Sequence, residues 1–174
     1  MGKHIGKTLL SEQQILRRVQ ELGQQISNDY RGEEVIIVCV LKGAVVFLAD
    51  LLRSIDVPTD LDFVQISSYG DGTESTGVVE VLHCPTTEIE DRHVLIVDDI
   101  VDSGLTLNHL RESLLTEEPA SLKLCVLLNK MGRRTEDVEM DYVGFEIPNE
   151  FVIGYGLDYA GRYRSLRYIA TLEL

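Results

Sequence analysis

Residues 93–106 read His93-Val-Leu-Ile-Val-Asp-Asp-Ile-Val-Asp-Ser-Gly-Leu-Thr106, a hydrophobic run followed by acidic and hydroxyl side chains. The apolar residues up to Val97 predict a short buried strand that ends in Asp98 and Asp99. A third carboxylate follows at Asp102, and the segment from Ser103 to Thr106 opens a predicted helix. Because ligands of open α/β sheets bind at the carboxyl ends of the strands, these side chains are candidates for a binding site.

The chemistry of this segment favours a phosphorylated sugar as the ligand. Backbone N–H groups at a helix start, together with nearby hydroxyls, suit a phosphate monoester. The carboxylates would repel that ligand unless they face sugar hydroxyls or a hydrated Mg²⁺. The structural alternative is that Asp98 and Asp99 end a strand in a turn while Asp102 caps the helix. The hydrophobic run before the motif and the helix after it favour the binding interpretation.

Strands and helices alternate on both sides of this segment. A helix should begin at Ser11, which can form a capping box with Gln14 and precedes an apolar stripe at Ile15, Val19, Leu22 and Ile26. Further strands are predicted at Val35–Leu41, Asp60–Tyr69, Val78–Leu82 and Ser121–Leu128, and helices at Ala44–Leu52 and Leu105–Leu115. From Tyr142 onward, short β-like pieces indicate a small cap rather than a continuation of the core. The alternation predicts an α/β fold around a parallel sheet.

The composition excludes several classes of protein. A chain of 174 residues with 44% hydrophobic residues fits one domain with a substantial core. A net charge of −13 argues against nucleic acid as a partner, because phosphate backbones attract clustered Lys and Arg. The longest apolar runs are only strand-length, and none follows the lysines of Met1–Lys7. We therefore expect neither a membrane span nor a secretory signal.

Cysteine and histidine usage favours a reducing compartment and no zinc. There are three cysteines; Cys39 and Cys125 lie inside apolar runs and are predicted core residues, whereas Cys84 is a predicted loop thiol. The four histidines show no metal-ligand spacing with each other or with cysteine. We expect a cytoplasmic protein.

The segment 93–106 resembles the phosphoribosyl pyrophosphate signature of the type I phosphoribosyltransferases. Other landmarks resemble the hypoxanthine-guanine branch of that family across nearly the whole chain. Leu41-Lys42-Gly43 is similar to the family's pyrophosphate loop, in which a cis peptide precedes the lysine, and Ser68-Tyr69 with Gly70–Gly77 is similar to its closing loop. Leu128-Asn129-Lys130 resembles the segment whose lysine contacts the purine, and Gly144–Tyr159 resembles the purine-binding and metal-binding tail. One departure is Asp98-Asp99, where the family usually has Glu-Asp. A carboxylate one methylene shorter still reaches ribose hydroxyls or metal-bound water.

The resemblance implies a role for each acidic residue of the motif. Asp102 would be the general base that takes the proton from purine N7 as the glycosidic bond forms. Asp98 and Asp99 would hold the ribose 2′- and 3′-hydroxyls and orient metal-bound water. The 5′-phosphate would lie in a cradle formed by Asp102, Ser103, Gly104, Leu105 and Thr106.

The resemblance also implies which residues contact the pyrophosphate group and which contact the purine. Pyrophosphate would be bound by Lys42, Gly43 and Arg164, although Arg162 is near enough in sequence to leave that choice of arginine open. The purine would take a hydrogen bond to O6 from Lys130, stacking from Phe151 and backbone contacts from Val152. Asp158 would lie at the purine end and reach a second Mg²⁺. Ser68 and Tyr69 would belong to the closing loop.

The implied function is purine salvage. With Mg²⁺, the enzyme would transfer the 5-phosphoribosyl group from phosphoribosyl pyrophosphate to hypoxanthine and guanine, giving IMP or GMP and pyrophosphate. The implied fold is a single type I phosphoribosyltransferase domain over residues 1–174, with a core at about 30–140 and a hood from the N-terminal segment and about 141–174. The family tends to form homodimers or homotetramers.

Two rival functions have their own sequence requirements. A regulator with the same fold would bind the donor or a nucleotide without catalysis, and loss of Asp102 or of the Lys130 and Phe151 segments would have favoured it. A receiver-type signalling domain also binds Mg²⁺ at paired aspartates. Its acidic pair should lie on an early strand, whereas here the pair lies at residues 98 and 99 and Ser-Gly-Leu-Thr follows Asp102.

Overall fold

The computed structural model of the chain describes residues 4–68, 79–83, 85–132 and 136–173. Its elements, in chain order, are β1 (His4–Leu10), α1 (Glu12–Asp29), β2 (Val35–Leu41), α2 (Val45–Leu52), β3 (Thr59–Ser68), β4 (Val79–His83), β5 (His93–Val101), α3 (Leu105–Leu115), β6 (Ser121–Lys130), β7 (Tyr142–Ile147), β8 (Val152–Ile153) and β9 (Ile169–Glu173). The predicted α/β alternation is confirmed.

The core is a six-stranded sheet in the order β4-β3-β2-β5-β6-β7. Five of its strands run parallel, and β4 pairs with β3 in the antiparallel direction. The central strand β2 reads Val-Ile-Ile-Val-Cys-Val-Leu, the β-branched run expected for a strand covered on both faces. Ile37 and Cys39 pack towards α1 and α2, whereas Ile36 and Val38 pack towards α3. The strand is therefore buried from both sides.

The first helix forms as its sequence predicts. Ser11 Oγ accepts from the backbone N–H of Gln14, and the Gln14 side chain accepts from the Ser11 backbone N–H, so the capping box is present. The predicted stripe of Ile15, Val19, Leu22 and Ile26 is buried against the sheet. Packing of that stripe, more than helix propensity, stabilises a helix of this kind.

The strands that carry the acidic motif and Lys130 are longer than predicted. β5 continues through Asp98 and Asp99 to Val101, and its pairing with β6 includes Asp98 with Val126 and Ile100 with Leu128. β6 likewise continues to Lys130. The prediction that β5 ends in the aspartates, and that Lys130 follows a strand, is corrected by this pairing. Ladder hydrogen bonds extend the two strands together into the site.

A second, three-stranded sheet in the order β1-β9-β8 corresponds to the predicted hood. The predicted boundary at about residue 140 is wrong, because β7 pairs in parallel with β6 and buries Tyr142 and Ile147 in the core. The helix α1 also packs on the core rather than in the hood. Among strands, the hood therefore takes β1 from the start of the chain and β8 and β9 from its end.

No helix within the described residues is long and apolar enough to span a membrane. Cys39 and Cys125 are buried and have free thiols, as predicted. Cys84 lies outside the described residues.

Candidate active site

A cleft of about 220 Å³ opens at the carboxyl ends of β2 and β5, beside the start of α3. Its polar lining consists of Gly43, Asp98, Asp99, Asp102, Ser103, Gly104 and Thr106, and its apolar lining of Val40, Leu41, Ile100, Val101 and Leu107. The fold thus brings together the acidic motif, the predicted phosphate cradle, and Leu41 and Gly43 of the predicted pyrophosphate loop. Apart from Leu41, the apolar lining could not be predicted from the sequence, because such residues are indistinguishable from ordinary strand and helix core.

The floor of this cleft carries two adjacent carboxyls in a poorly hydrated place. Asp98 is 8% exposed, and its Oδ1 accepts from the Asp99 backbone N–H at 2.8 Å. Burial, reinforced by the neighbouring charge of Asp99, raises the pKa of Asp98 well above its ordinary value. Burial also raises the pKa of Asp99. A pair of this kind favours a cation or hydroxyl donors as its neighbours.

The Lys42–Gly43 loop lies directly against this pair. A Cβ on Gly43 would fall 1.7 Å from Asp99 Oδ2, so no side chain is compatible with this approach. The Leu41–Lys42 peptide bond is cis, which confirms the prediction for this loop. The Lys42 side chain is exposed, and Gly43 lines the cleft beside the carboxyls.

The start of α3 forms the opposite wall. Gly104 is its N-cap with φ of +89°, in the left-handed region where glycine has no steric penalty. A Cβ there would fall 2.6 Å from Val138 Cγ2 and 2.9 Å from the Glu136 carbonyl oxygen. Ser103 Oγ accepts from the Leu105 N–H at 3.4 Å. The first N–H groups of a helix have no intrahelical acceptors, and this turn therefore presents donors to an anion.

Lys130 meets the acidic motif at Asp102. Lys130 Nζ lies 3.7 Å from Asp102 Oδ2, and the lysine side chain is 8% exposed while that of Asp102 is 40% exposed. Its burial at the end of β6 distinguishes Lys130 from an ordinary surface lysine. The two residues predicted to handle the purine proton and O6 are therefore neighbours.

Arg164 is the arginine that faces the acidic pair. Its Nη2 lies 2.7 Å from Asp158 Oδ1, and its charge acts on Asp99 to lower the pKa that burial raises. Asp158 Oδ2 accepts from the Gly161 N–H at 2.7 Å. The Arg162 side chain is exposed, and its backbone pairs with Tyr159 in a turn. Of the two candidate arginines, Arg164 is therefore the one whose charge acts on the acidic pair.

The predicted purine residues Phe151 and Val152 lie where the hood begins. Val152 is buried in β8 and pairs with Thr171, whereas Phe151 is 36% exposed. The Phe151 ring makes an edge-to-face contact with the Tyr159 ring at 5.6 Å. Among the described residues, Lys42, Lys130, Phe151, Val152, Asp158 and Arg164 are not part of the lining of the 220 Å³ cleft. Ser68 is the last residue of β3, and Tyr69 with Gly70–Gly77 lies outside the described residues.

A comparison with known protein families agrees with this geometry. The model of the phosphoribosyl transferase domain matches residues 6–160. The chain belongs to the phosphoribosyl transferase family.

Individual members of the phosphoribosyl transferase family resemble the chain over nearly its whole length. The hypoxanthine-guanine phosphoribosyltransferase of Mycobacterium tuberculosis is 51% identical over 97% of this chain and 87% of its own. That of Streptococcus thermophilus is 44% identical over 99% of this chain and 96% of its own. The crystal structure of a hypoxanthine-guanine phosphoribosyltransferase from Bacillus anthracis superposes with a TM-score of 0.92 at 42% identity, covering 99% of this chain and 100% of that one.

One structural part of this phosphoribosyl transferase site was not foreseen. Gly156 lies against Gly43 of the predicted pyrophosphate loop, because a Cβ on Gly156 would fall 2.1 Å from the Gly43 carbonyl oxygen. Gly156 also exchanges hydrogen bonds with Arg164. The sequence signal is the Gly-Tyr-Gly triplet at residues 154–156, which indicates a turn but not what the turn contacts.

Proposed function

We propose that this protein is a Mg²⁺-dependent hypoxanthine-guanine phosphoribosyltransferase that makes IMP or GMP from phosphoribosyl pyrophosphate and the free base. The observation that carries the proposal is the contact between Lys130 and Asp102 beside a cleft that also holds Asp98, Asp99 and the start of α3. A proton acceptor, a donor for a 6-oxo group, a pair of sugar-binding carboxyls and an anion cradle are thereby adjacent. The same reaction is supported by the two relatives named hypoxanthine-guanine phosphoribosyltransferase, of which the chain covers 87% and 96%.

The acidic pair fits a hydrated Mg²⁺ that takes most of its ligands from the substrate. Within the described ranges, no group of three or more His, Cys, Asp or Glu is placed to hold a metal. Mg²⁺ commonly takes one or two protein carboxylates together with waters and substrate phosphates. Asp98 and Asp99 are such carboxylates, and a cation would offset the cost of their burial. When bound, Mg²⁺ would neutralise charge on the pyrophosphate leaving group.

The donor substrate has a separate group of residues for each of its parts. The 5′-phosphate would bind at Asp102, Ser103, Gly104, Leu105 and Thr106, where the α3 N–H groups and two hydroxyls converge. Asp98 and Asp99 would accept from the ribose 2′- and 3′-hydroxyls. Lys42, Gly43 and Arg164 would hold the pyrophosphate. The bond from C1′ to the pyrophosphate oxygen would break as the bond to the purine nitrogen forms.

Asp102 and Lys130 would contact different atoms of the purine. Asp102 would accept the N7 proton, a kind of assistance that contributes about 10²–10⁴-fold in rate. Lys130 would donate to O6, which favours 6-oxopurines because the 6-amino group of adenine would meet a donor with a donor. Phe151 would stack on the base and Val152 would contact its edge through the backbone. Asp158, already paired with Arg164, would reach a second Mg²⁺ through water.

Three further proposals rest on the family alone or on the sequence. Ser68 and Tyr69 would close over the reacting groups, the protein would assemble as a homodimer or homotetramer, and it would act in the cytoplasm. The free thiols of Cys39 and Cys125 are compatible with that compartment.

The test is an ultraviolet assay with pure protein, phosphoribosyl pyrophosphate, Mg²⁺ and one base at a time. We expect nucleotide with hypoxanthine and guanine, little with adenine, and none when EDTA replaces Mg²⁺. Absence of nucleotide with every 6-oxopurine at saturating donor and metal would overturn the proposal. Donor binding without turnover would then identify a regulator of the same fold.

A further inference from the structure

A strained turn connects β8 to the arginine of the site. Gly154, Tyr155 and Gly156 have φ of +100°, +49° and +99°, three consecutive residues in the left-handed region. A bulky residue such as tyrosine rarely adopts this conformation, and it persists only where the surrounding contacts enforce it. Strain of this kind is often found at functional sites, which directs attention to the contacts that hold Tyr155.

The Tyr155 side chain is fastened to the helix that follows the pyrophosphate loop. Its hydroxyl donates to Asp50 Oδ2 at 2.6 Å, and the residue is 4% exposed. Asp50 also pairs with the Arg53 guanidinium through its other oxygen. Burial, followed by the bond to Asp50, raises the pKa of Tyr155, so the hydroxyl keeps its proton throughout the working pH range. Asp50 lies on α2, only seven positions after Gly43.

The next residue of the turn touches both groups that would bind pyrophosphate. Gly156 lies so close to Gly43 that an added Cβ would fall 2.1 Å from the Gly43 carbonyl oxygen. The Gly156 N–H donates to the Arg164 carbonyl at 3.0 Å, and Arg164 Nη1 donates to the Gly156 carbonyl at 2.6 Å. A shift of the turn would therefore move the arginine and release the glycine loop together.

We propose that Asp50 and Tyr155 are positioning residues for the pyrophosphate end of the site. Their hydrogen bond fixes the turn on α2, which holds Gly156 against Gly43 and directs the Arg164 guanidinium towards the acidic pair. The inference rests on the proposed function, because it takes Lys42, Gly43 and Arg164 as the pyrophosphate-binding groups. Neither Asp50 nor Tyr155 would touch the substrate.

The chain contains a matched control for this bond. The Tyr142 hydroxyl donates to Asp29 Oδ2 at 2.6 Å, and Tyr142 is 2% exposed. The chemistry, the distance and the burial match those of Tyr155 and Asp50. Tyr142 is the first residue of β7, at the amino end of the parallel sheet and thus opposite the cleft. Tyr142→Phe therefore removes an equivalent bond without touching the site.

The experiment compares wild type, Tyr155→Phe, Asp50→Asn and Tyr142→Phe in three measurements. They are steady-state kinetics with phosphoribosyl pyrophosphate and hypoxanthine, calorimetric titration of pyrophosphate with Mg²⁺, and Tm. For Tyr155→Phe we expect the KM of the donor and the Kd of pyrophosphate to rise about tenfold, since the lost bond involves a charged acceptor. The KM of hypoxanthine should change less than about twofold, because the proposed base-binding residues Lys130 and Phe151 lie at the end of β6 and before β8 and not in the turn itself.

The other variants separate positioning from stability. Asp50→Asn keeps an acceptor for the hydroxyl, so its donor KM should lie between those of wild type and Tyr155→Phe. Tyr142→Phe should lower Tm by a similar amount and leave KM and Kd unchanged. If Tyr155→Phe does not fold, the comparison of Asp50→Asn with Tyr142→Phe decides.

A wild-type donor KM and pyrophosphate Kd in a folded Tyr155→Phe or Asp50→Asn protein, together with a lowered Tm, would overturn the inference. Lack of turnover in wild type would refute the proposed function instead. The calorimetric titration would still report on the pyrophosphate site in that case.

Discussion

Lys130 Nζ lies 3.7 Å from Asp102 Oδ2, so the two charged groups assigned to the purine are held against each other at the end of β6. Asp102→Asn keeps the shape of the side chain and removes its capacity to accept a proton. We expect kcat to fall by about 10²–10⁴-fold with little change in the KM of phosphoribosyl pyrophosphate. Stopped-flow or steady-state kinetics with hypoxanthine measure this, and an Asn variant with wild-type kcat would contradict the role of Asp102.

Lys130→Met tests the other member of the same pair. It retains most of the aliphatic volume of a buried side chain but cannot donate to O6. We expect the ratio of kcat/KM for hypoxanthine over adenine to fall from about 10³ or more towards unity, chiefly through the loss on hypoxanthine. Tm should fall as well, because the contact between Lys130 Nζ and Asp102 Oδ2 is lost. Unchanged selectivity between the two bases would refute the contact with O6.

Asp98→Asn should stabilise the protein while it reduces activity. A carboxyl whose pKa is raised in the folded state binds its proton more tightly when folded, so ionisation costs stability as the pH rises above the unfolded value. The amide carries no charge and removes that cost. At pH 7 we expect a higher Tm, by about 2–4 °C for each kcal/mol, and a lower kcat/KM. A decrease in both quantities would show that the charge of Asp98 is not a source of destabilisation.

Asp62→Asn, the same kind of change on strand β3, should have the opposite effect on stability. Burial opposes ionisation of Asp62, but hydrogen bonds from the Thr87, Phe63 and Thr86 backbone N–H groups outweigh it and lower its pKa to about 2. The carboxylate therefore stabilises the fold above its ordinary pKa of 3.8, and this contribution is lost as the pH falls towards 2. We expect the variant to lose about 2 kcal/mol at pH 7 and to show a flatter dependence of Tm on pH between about 2 and 4.

The sequence predicts the local elements of this fold better than its long-range pairing. The capping box at Ser11 and the β-branched run Val35–Leu41 specify α1 and β2 almost completely, since both signals are local. The strand Tyr142–Ile147 was assigned to the hood because a short six-residue strand does not reveal its partner. Its place beside β6 depends on parallel pairing across the intervening segment, which no local pattern encodes.

In the candidate site too, residues close in sequence could be predicted to lie together, whereas residues brought in by distant contacts could not. Asp98, Asp99, Asp102 and the α3 cradle are contiguous in sequence, so their proximity could be predicted. The choice of Arg164 over Arg162 depends on the turns at residues 154–164, whose left-handed residues include Tyr155, Ala160 and Tyr163. Non-glycine residues in that conformation are not predictable from propensity, because tertiary contacts impose them.

Gly104→Ala tests how closely the cradle is specified. The methyl group would meet Val138 and the Glu136 carbonyl, and φ of +89° is unfavourable for alanine. We expect a loss of about 1–3 kcal/mol of stability and a raised KM for phosphoribosyl pyrophosphate. Gly132→Ala is a control, because Gly132 has φ of +90° but nothing within 4 Å of an added Cβ. An equal effect of both changes on KM would contradict a specific role for the cradle.

The burial of Cys39 and Cys125 allows the opening of strands β2 and β6 to be followed by thiol labelling. Burial, and then the charges of Asp98 and Asp99, raises the pKa of Cys39 to about 12, and burial likewise raises the pKa of Cys125. Alkylating reagents attack the thiolate, so neither thiol reacts until β2 or β6 separates from its neighbours. A Cys84→Ser variant retains only the thiols of Cys39 and Cys125. The rate at which each thiol is alkylated would then measure how often its strand opens. Phosphoribosyl pyrophosphate should slow both rates, since it binds only the closed sheet.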